Sequence, residues 1–249
     1  MMDLNYFKKS NGYEIEDGWY PRVTSICDII AKPGLLKYYA EQKSFNIAQS
    51  NMVISANWGK LAHDIIEKKL AGKECGILPA ILPSINAFER WLSRHKINAL
   101  NFEETVLSKN FLYAGTFDVL AEIDGKLGIL DLKTSTGIWD EYSLQTAAYV
   151  QAYNEKTCGK AKTRWILRVD QYQECEICGA KKRDKESVQR IRGGKTNCQH
   201  YWGFLKGTYE FKELKDQKKD LKIFLHAKKL WEWSNRYWIG QVKNSVIKA

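Results

Sequence analysis

No stretch of this chain approaches the run of about 18 apolar residues that a membrane-spanning helix needs, so no membrane partner is expected. The opening, Met1-Met2-Asp3-Leu4-Asn5-Tyr6-Phe7-Lys8-Lys9, lacks the apolar run of a secretory leader. A cytoplasmic setting is therefore expected. There is no internal repeat and no long flexible linker. Acidic residues are the scarcer charge: 29 Asp and Glu stand against 39 Lys and Arg, a net charge of +10. That imbalance favours a polyanionic partner, nucleic acid first and an anionic membrane surface second.

The 249 residues suit one large domain or two small ones, and 44% hydrophobic with 27% charged residues excludes wholesale disorder. Nine Trp and thirteen Tyr supply rings that fill cores or stack on bases. In a reducing compartment the six cysteines do not build a disulfide framework. They are buried small hydrophobes or metal ligands.

Hydrophobic periodicity gives the order of elements. Residues 1–30 read as an irregular lead-in and a helix capped at Thr24 or Ser25, broken at Pro33-Gly34. Helices follow over about 35–50 and 58–70, the latter with Leu61, Ile65 and Ile66 inward and Glu67-Lys68-Lys69 outward, and another begins after Pro83. Period-two patterning marks strands at 102–108, 114–123 and 126–133. Then come a helix (about 141–155), strands at 165–170 and 207–213, and a long helix over about 215–238. A polar, basic insertion at 171–201 separates the last two strands. The pattern predicts a single α/β domain over 1–249 with a mixed central sheet flanked by helices. Its helical N-terminal part is 1–100, and its core is 101–170 with 202–249.

Asp124-Gly125 is a strong two-residue hairpin signal. With that loop Ile123 faces Lys126, and Asp118 faces Asp131, with Cβ atoms about 5 Å apart. Two facing carboxylates beside apolar strand residues either share a proton or hold a cation. Lys133 projects from the same face as Asp131. An acid pair with a lysine beside it suits metal-dependent phosphodiester cleavage. The carboxylates hold Mg²⁺ or Mn²⁺, the metal acidifies a water, and Lys133 orients that water or steadies developing negative charge. A solvated surface hairpin is the competing reading, but Leu127, Ile129 and Leu130 make the strand before Asp131 look buried.

Cys175-Glu176-Ile177-Cys178-Gly179 is a C-x-x-C knuckle, and Cys198-Gln199-His200 follows after a basic loop. The resulting C-x2-C-x19-C-x-H pattern suits a structural zinc; a reduced loop without metal is the alternative. From Lys156 to Lys195 twelve basic residues stand against five acidic ones. Such a loop reads either as a solvated face or as a phosphate-tracking arm, with Lys181, Lys182, Arg183, Arg190 and Arg192 as its DNA contacts.

Gly115-Thr116-Phe117-Asp118, then Asp131-Leu132-Lys133-Thr134-Ser135, then Gln145-Thr146-Ala147-Ala148-Tyr149 resemble the PD-(D/E)XK nuclease superfamily, in its RecB-like branch with the CRISPR-adaptation and mitochondrial genome-maintenance exonucleases. Trp58-Gly59-Lys60-Leu61-Ala62-His63 resembles the G-x-x-x-H helix of that branch, and Tyr20-Pro21-Arg22-Val23-Thr24-Ser25-Ile26 a stretch in phage-type members. The resemblance spans about residues 20–155, with Gly-Thr-Phe-Asp where the superfamily name has Pro-Asp. It implies His63, Asp118, Asp131 and the Leu132 carbonyl as metal ligands and Lys133 as the catalytic lysine. Glu103, or else Glu104, matches the acid of the preceding strand, with Glu103 favoured. Gln145 and Tyr149 match a Q-x-x-x-Y helix that contacts DNA and orients the site. An iron–sulfur cluster on Cys27, Cys175, Cys178 and Cys198 is a further alternative, since some relatives hold one.

The activity so implied is a Mg²⁺- or Mn²⁺-dependent DNA exonuclease, acting on single strands or duplex ends in recombination, repair or replication, in a bacterial or phage setting. A structure-specific endonuclease and a non-catalytic zinc-containing DNA-binding module are the rivals.

Overall fold

In the computed structural model, residues 3–186 and 188–246 are described; 1–2, 187 and 247–249 lie outside them. The chain begins with a helix, α1 (Leu4–Asn11), and a small hairpin of β1 (Gly12–Ile15) and β2 (Gly18–Pro21). The irregular lead-in expected from the sequence is thus ordered, and the helix that follows, α2 (Val23–Cys27), is shorter than expected. The helix before Pro33 has already stopped at Cys27, and Pro33 instead opens α3 (Pro33–Glu41), as its fixed φ suits a first turn. Next comes α4 (Phe45–Leu70), one helix of 26 residues, so the break expected between about 50 and 58 lies instead at 42–44. Ser44 caps its start by accepting from the Ile47 amide, and no proline or glycine interrupts it before Gly59. Helix α5 (Leu82–Leu92) completes the N-terminal helical part.

Strands β3 (Ile97–Ser108), β4 (Tyr113–Ile123) and β5 (Lys126–Lys133) form an antiparallel meander. Its second turn is the expected two-residue hairpin: Asp124 (φ 51°) and Gly125 (φ 81°) are both left-handed, and Ile123 faces Lys126. Helix α6 (Asp140–Thr157) then crosses over to β6 (Thr163–Glu174), which lies parallel to β5. The insertion is not a loop. It holds a second antiparallel hairpin, β7 (Lys181–Lys185) and β8 (Val188–Arg192), which joins the end of β6. Strand β9 (Lys206–Glu213) pairs antiparallel with β6, and two helices, α7 (Gln217–Ser234) and α8 (Arg236–Val246), stand where one had been expected. The result is an α/β fold with a seven-stranded mixed sheet among the described residues. None of the described helices is long and apolar enough to cross a membrane.

Each face of the sheet has its own core. On one side α2, α6 and α7 bury Val23, Ile26, Ala148, Tyr149 and Phe224 against Phe117, Leu120 and Ile129. On the other, α4 and α5 bury Trp58, Ile65, Ile66, Phe88 and Trp91 against Val119, Ala121, Leu130, Leu132 and Leu167. Strand β5 is therefore covered on both faces, and its residues from Gly128 to Leu132 are buried.

Arg164, 1% exposed, ties the α6 side together: it donates to the Ser143 carbonyl and Thr146 hydroxyl and pairs with Asp220 of α7. Gly207 lets β9 pass against the start of α5, since a Cβ there would collide with the Pro83 carbonyl. Gly207→Ala is expected to lower stability by about 1–3 kcal/mol, the cost of overpacking. Gly34→Ala, which meets no atom within 4 Å, is expected to leave the urea midpoint within error of wild type.

Candidate functional site

The sheet breaks its own rules at one place. Phe117 packs on the α6 side and Val119 on the α4–α5 side, although residues two apart in a strand share a face. The chain therefore turns over at Asp118. Glu103, which stands between the paired positions Phe102–Val119 and Glu104–Phe117, has a left-handed φ of 46°. A non-glycine residue held there costs of order 1–3 kcal/mol, a kind of strain that gathers at functional sites. The pairing of β4 with β5 ends at Val119–Leu130, one residue short of Asp118 and Asp131, so the facing pair expected from the hairpin register is not part of the strand ladder.

Asp118 does not complete the strand ladder with its side chain free. Its Oδ2 accepts from the Leu132 amide at 2.6 Å, fastening the acid to β5. Asp131 is 1% exposed, and its Oδ1 has no hydrogen-bond partner. The Lys133 ammonium lies 2.6 Å from Asp131 Oδ2 and 4.8 Å from the Tyr142 ring centre. Burial pushes both aspartates up to about 6, against the pull of Lys133; Glu103 adds to the rise at Asp118, and Asp118 adds to the rise at Asp131. Burial works against the Lys133 ammonium, but Asp131 and Asp118 outweigh it and hold its pKa above the ordinary value.

His63 approaches from α4, its Nδ1 3.9 Å from Asp118 Oδ1. Burial and then Lys133 lower its pKa, so the neutral imidazole, the metal-binding form, is favoured; a hydrogen bond to the Leu132 backbone pulls the other way. One turn on, Glu67 shares that helix face, and His63, Glu67 and Glu103 present ligand atoms within 4.8 Å of one another. Burial, then Glu103 and Asp118, push Glu67 up to about 7. Glu67 had been read as facing solvent; its spacing of four from His63 was the signal that could have found it. Glu104 instead pairs with Lys156 and Asn101, which leaves Glu103 as the acid at the site.

On the other flank, α6 brings Gln145 and Tyr149. Tyr149 is buried, and Gln145 donates to its hydroxyl at 2.9 Å. Burial, then the nearby Asp131, raises the Tyr149 pKa well above its ordinary value. Gly115 makes room for this ring: a Cβ there would lie 2.5 Å from Tyr149 Cε1 and 2.9 Å from Val23 Cγ2. The Tyr20–Ile26 stretch thus underpins Tyr149 rather than the reacting groups.

A second cluster lies in the insertion. Cys175 and Cys198 sulfurs are 3.8 Å apart, and Cys178 Sγ is 3.4 Å from His200 Nδ1. All four ligand atoms lie within 4.8 Å of one another, and every cysteine is free. A tetrahedron with arms of about 2.3 Å has edges of about 3.8 Å, so the group is sized for one ion. Burial opposes ionisation of Cys175, but hydrogen bonds from Cys178 and His200 prevail and draw it down to about 6. Cys27 is not among these ligands. It is buried beside Val23 and Ile26, where burial pushes its thiol up to about 12, and His200 takes the fourth position that the iron–sulfur alternative had given it.

The basic residues divide. Arg183 is buried and occupied by Asp170, and Arg164 and Arg168 are internal as well. Lys181 lies over the Tyr172 ring, Lys182 over Trp202, and Arg190 over Tyr38, while Arg192 is exposed.

No known family profile and no curated protein matches this chain. Among solved structures it is similar to the crystal structure of SSO0001, at 15% identity and a TM-score of 0.35, over 92% of this chain and 86% of that one. A likeness that slight carries no argument.

The acids fix the sign of a pH effect. Without divalent cations, Asp118 and Asp131 bind protons more tightly folded than unfolded, with folded values near 6 against an ordinary 3.8. The native state then holds more protons between those limits, so stability is expected to fall as pH rises from about 4 through 6, with Glu67 extending the fall to about 7 before it levels off. Asp131→Asn should make that slope shallower. A divalent cation held by the ionised acids would invert it, and Mn²⁺ is the probe. Urea midpoints across this window, in EDTA and in Mn²⁺, measure both.

Proposed function

We propose that this chain is a metal-dependent deoxyribonuclease of the PD-(D/E)XK type, RecB-like, with exonuclease action favoured. The observation that carries the reading is the Asp131 carboxylate. It is buried, one oxygen is unpartnered, and a second acid and a lysine stand against it. A buried carboxylate so placed needs a cation beyond Lys133.

Mg²⁺ or Mn²⁺ suits the donors on the His63 side: His63, Glu67 and Glu103 bring ligand atoms within 4.8 Å of one another, and Asp118 Oδ1 lies 3.9 Å from His63, while Asp131 and the Leu132 carbonyl are the ligands that the nuclease resemblance adds. Such an ion supplies charge neutralisation at the phosphate and a water of lowered pKa. The chain's own groups do the rest. Asp118, tied to the Leu132 amide, fixes the spacing of β4 and β5 at the site. Lys133, held between Asp131 and the Tyr142 ring, steadies the charge that develops on the phosphate oxygens. Gln145, half-buried above Tyr149, is the member of that pair left to meet a nucleotide, and Tyr149 sets its height.

The Cys175, Cys178, Cys198 and His200 cluster holds a structural zinc in this reading, since two or three thiolates with an imidazole suit that ion. Lys181, Lys182, Arg190 and Arg192 supply phosphate contacts on the same hairpin; Arg183 does not, being occupied by Asp170. DNA is the expected partner, in a cytoplasmic setting, for recombination, repair or replication.

Digestion of labelled linear DNA in Mn²⁺ tests the activity. Lys133→Ala is expected to lower the rate by about 10²–10³-fold, the usual loss for one group that stabilises developing charge. Equal rates would falsify the catalytic assignment. A covalently closed circle should resist, and its cleavage would favour an endonuclease. Elemental analysis should find one zinc per chain, lost in Cys175→Ser.

A further inference from the structure

Thr134 and Ser135 follow directly on Lys133, and their carbonyls point at two cations from elsewhere in the chain. Lys185, at the end of β7, donates to the Thr134 carbonyl at 3.0 Å. Arg168, on β6, donates to the Ser135 carbonyl at 3.2 Å. These two cations belong to one network. Arg168 Nη1 lies 3.1 Å from Asp170 Oδ2, and Arg183 of β7 binds the same carboxylate through Nε and Nη2 at 2.8–3.1 Å. Asp170, 4% exposed, thus bolts β7 to β6 directly beneath the segment that follows Lys133.

The hairpin is pinned at its other edge too. Arg190 of β8 lies over the Tyr38 ring of α3 at 4.0 Å, and Val188 is buried. Its base is the Cys/His cluster, where the Cys175 amide donates to the Ala180 carbonyl one residue before β7 begins.

We infer that Lys185 is a positioning residue of the active site, and that through it the β7–β8 hairpin holds the Thr134–Ser135 backbone and, with it, Lys133. This rests on the nuclease reading above. Nothing in β5 itself can fix that backbone, because the paired register of β5 with β6 ends at Lys133–Arg168. Beyond it the chain would fray without partners for its carbonyls. The long Lys185 side chain supplies one from across the insertion. Burial draws its ammonium down to about 8, as expected of a cation seated in protein rather than solvent.

The test compares Lys185→Met, Lys185→Gln and Lys185→Arg with wild type. Steady-state hydrolysis of linear DNA in Mn²⁺ is read beside amide hydrogen exchange over residues 134–137, thermal midpoint and zinc content. Lys185→Met should lower kcat by about 10–100-fold, the loss typical of a reacting group displaced by an ångström, with KM within twofold. Exchange over 134–137 should speed up, with midpoint and zinc unchanged. Lys185→Arg, which keeps a charged donor, should recover most of kcat. Should Lys185→Met not fold, Lys185→Gln decides, since it keeps a donor while losing charge and reach. Unchanged kcat and exchange overturn the inference. So does a loss confined to KM, which would make Lys185 a phosphate contact. If wild type itself fails to cut DNA, the nuclease reading falls, and exchange over 134–137 still decides whether Lys185 anchors that segment.

Discussion

A buried carboxylate with too few partners governs the architecture around it. Asp131 sits near the end of a strand covered on both faces, with one oxygen lacking any donor and Asp118 beside it. Ionising such a group inside a protein is costly, and among the described residues Lys133 is the cation paired with it. The consequence is a built-in charge deficit that holds the carboxyl pKa up to about 6. The neighbouring features follow from keeping it in place. Asp118 is locked onto the β5 amide, and β4 turns over so that His63 can approach from the opposite helix layer. Gly115 gives up its side chain to admit Tyr149.

This acidic centre lies in a chain of net charge +10, and the two facts are linked less simply than a basic protein meeting a polyanion. Several of the basic residues most suggestive of a nucleic-acid surface are internal braces. Arg164 joins β6 to α6 and α7, and Arg168 and Arg183 converge on Asp170. Lys181, Lys182 and Arg190 keep their charge near the surface but rest on aromatic rings, which fixes their direction. A cation held over a ring loses less freedom on meeting a phosphate than one on a free stem. The hairpin therefore combines internal structure and external charge in one element.

What the sequence made legible was local or strictly periodic. The Asp124-Gly125 turn set the β4–β5 register as far as Val119–Leu130; beyond that pair the strands no longer match, and Asp118 meets the Leu132 amide instead of facing Asp131 by register. The C-x-x-C knuckle and its distant Cys-x-His converge as their spacing suggested. What escaped depended on contacts far apart in the chain. Glu67 sits among Lys68 and Lys69, so its helix face looked solvated until the sheet lay beneath it. Strands β7 and β8 carry charge at most positions, and no apolar alternation announces them; they pair because Arg183 and Lys185 find buried partners on β6 and after β5. Tyr149 was expected, with Gln145, to contact DNA and orient the site, and Gly115, 34 positions earlier in the chain, makes the room in which its ring is packed inside.

One strand joins the two ligand clusters. The first half of β6 runs parallel to β5 and carries Arg168 beside the end of the acid pair's strand. Its far end, at Glu174, leads straight into Cys175. Twelve extended residues span roughly 40 Å at about 3.3 Å each, too stiff a rod to let its ends move independently. Between them lies Asp170, the point where β7 is fastened back onto the rod. Cys175, Cys178, Cys198 and His200 gather at that end, their ligand atoms within 4.8 Å of one another, and from there the chain returns as β7 to bring Lys185 to Thr134. The sulfur-rich insertion and the buried acids thus share one strand, and the hairpin that leaves the first is the element that meets the backbone following Lys133 in the second.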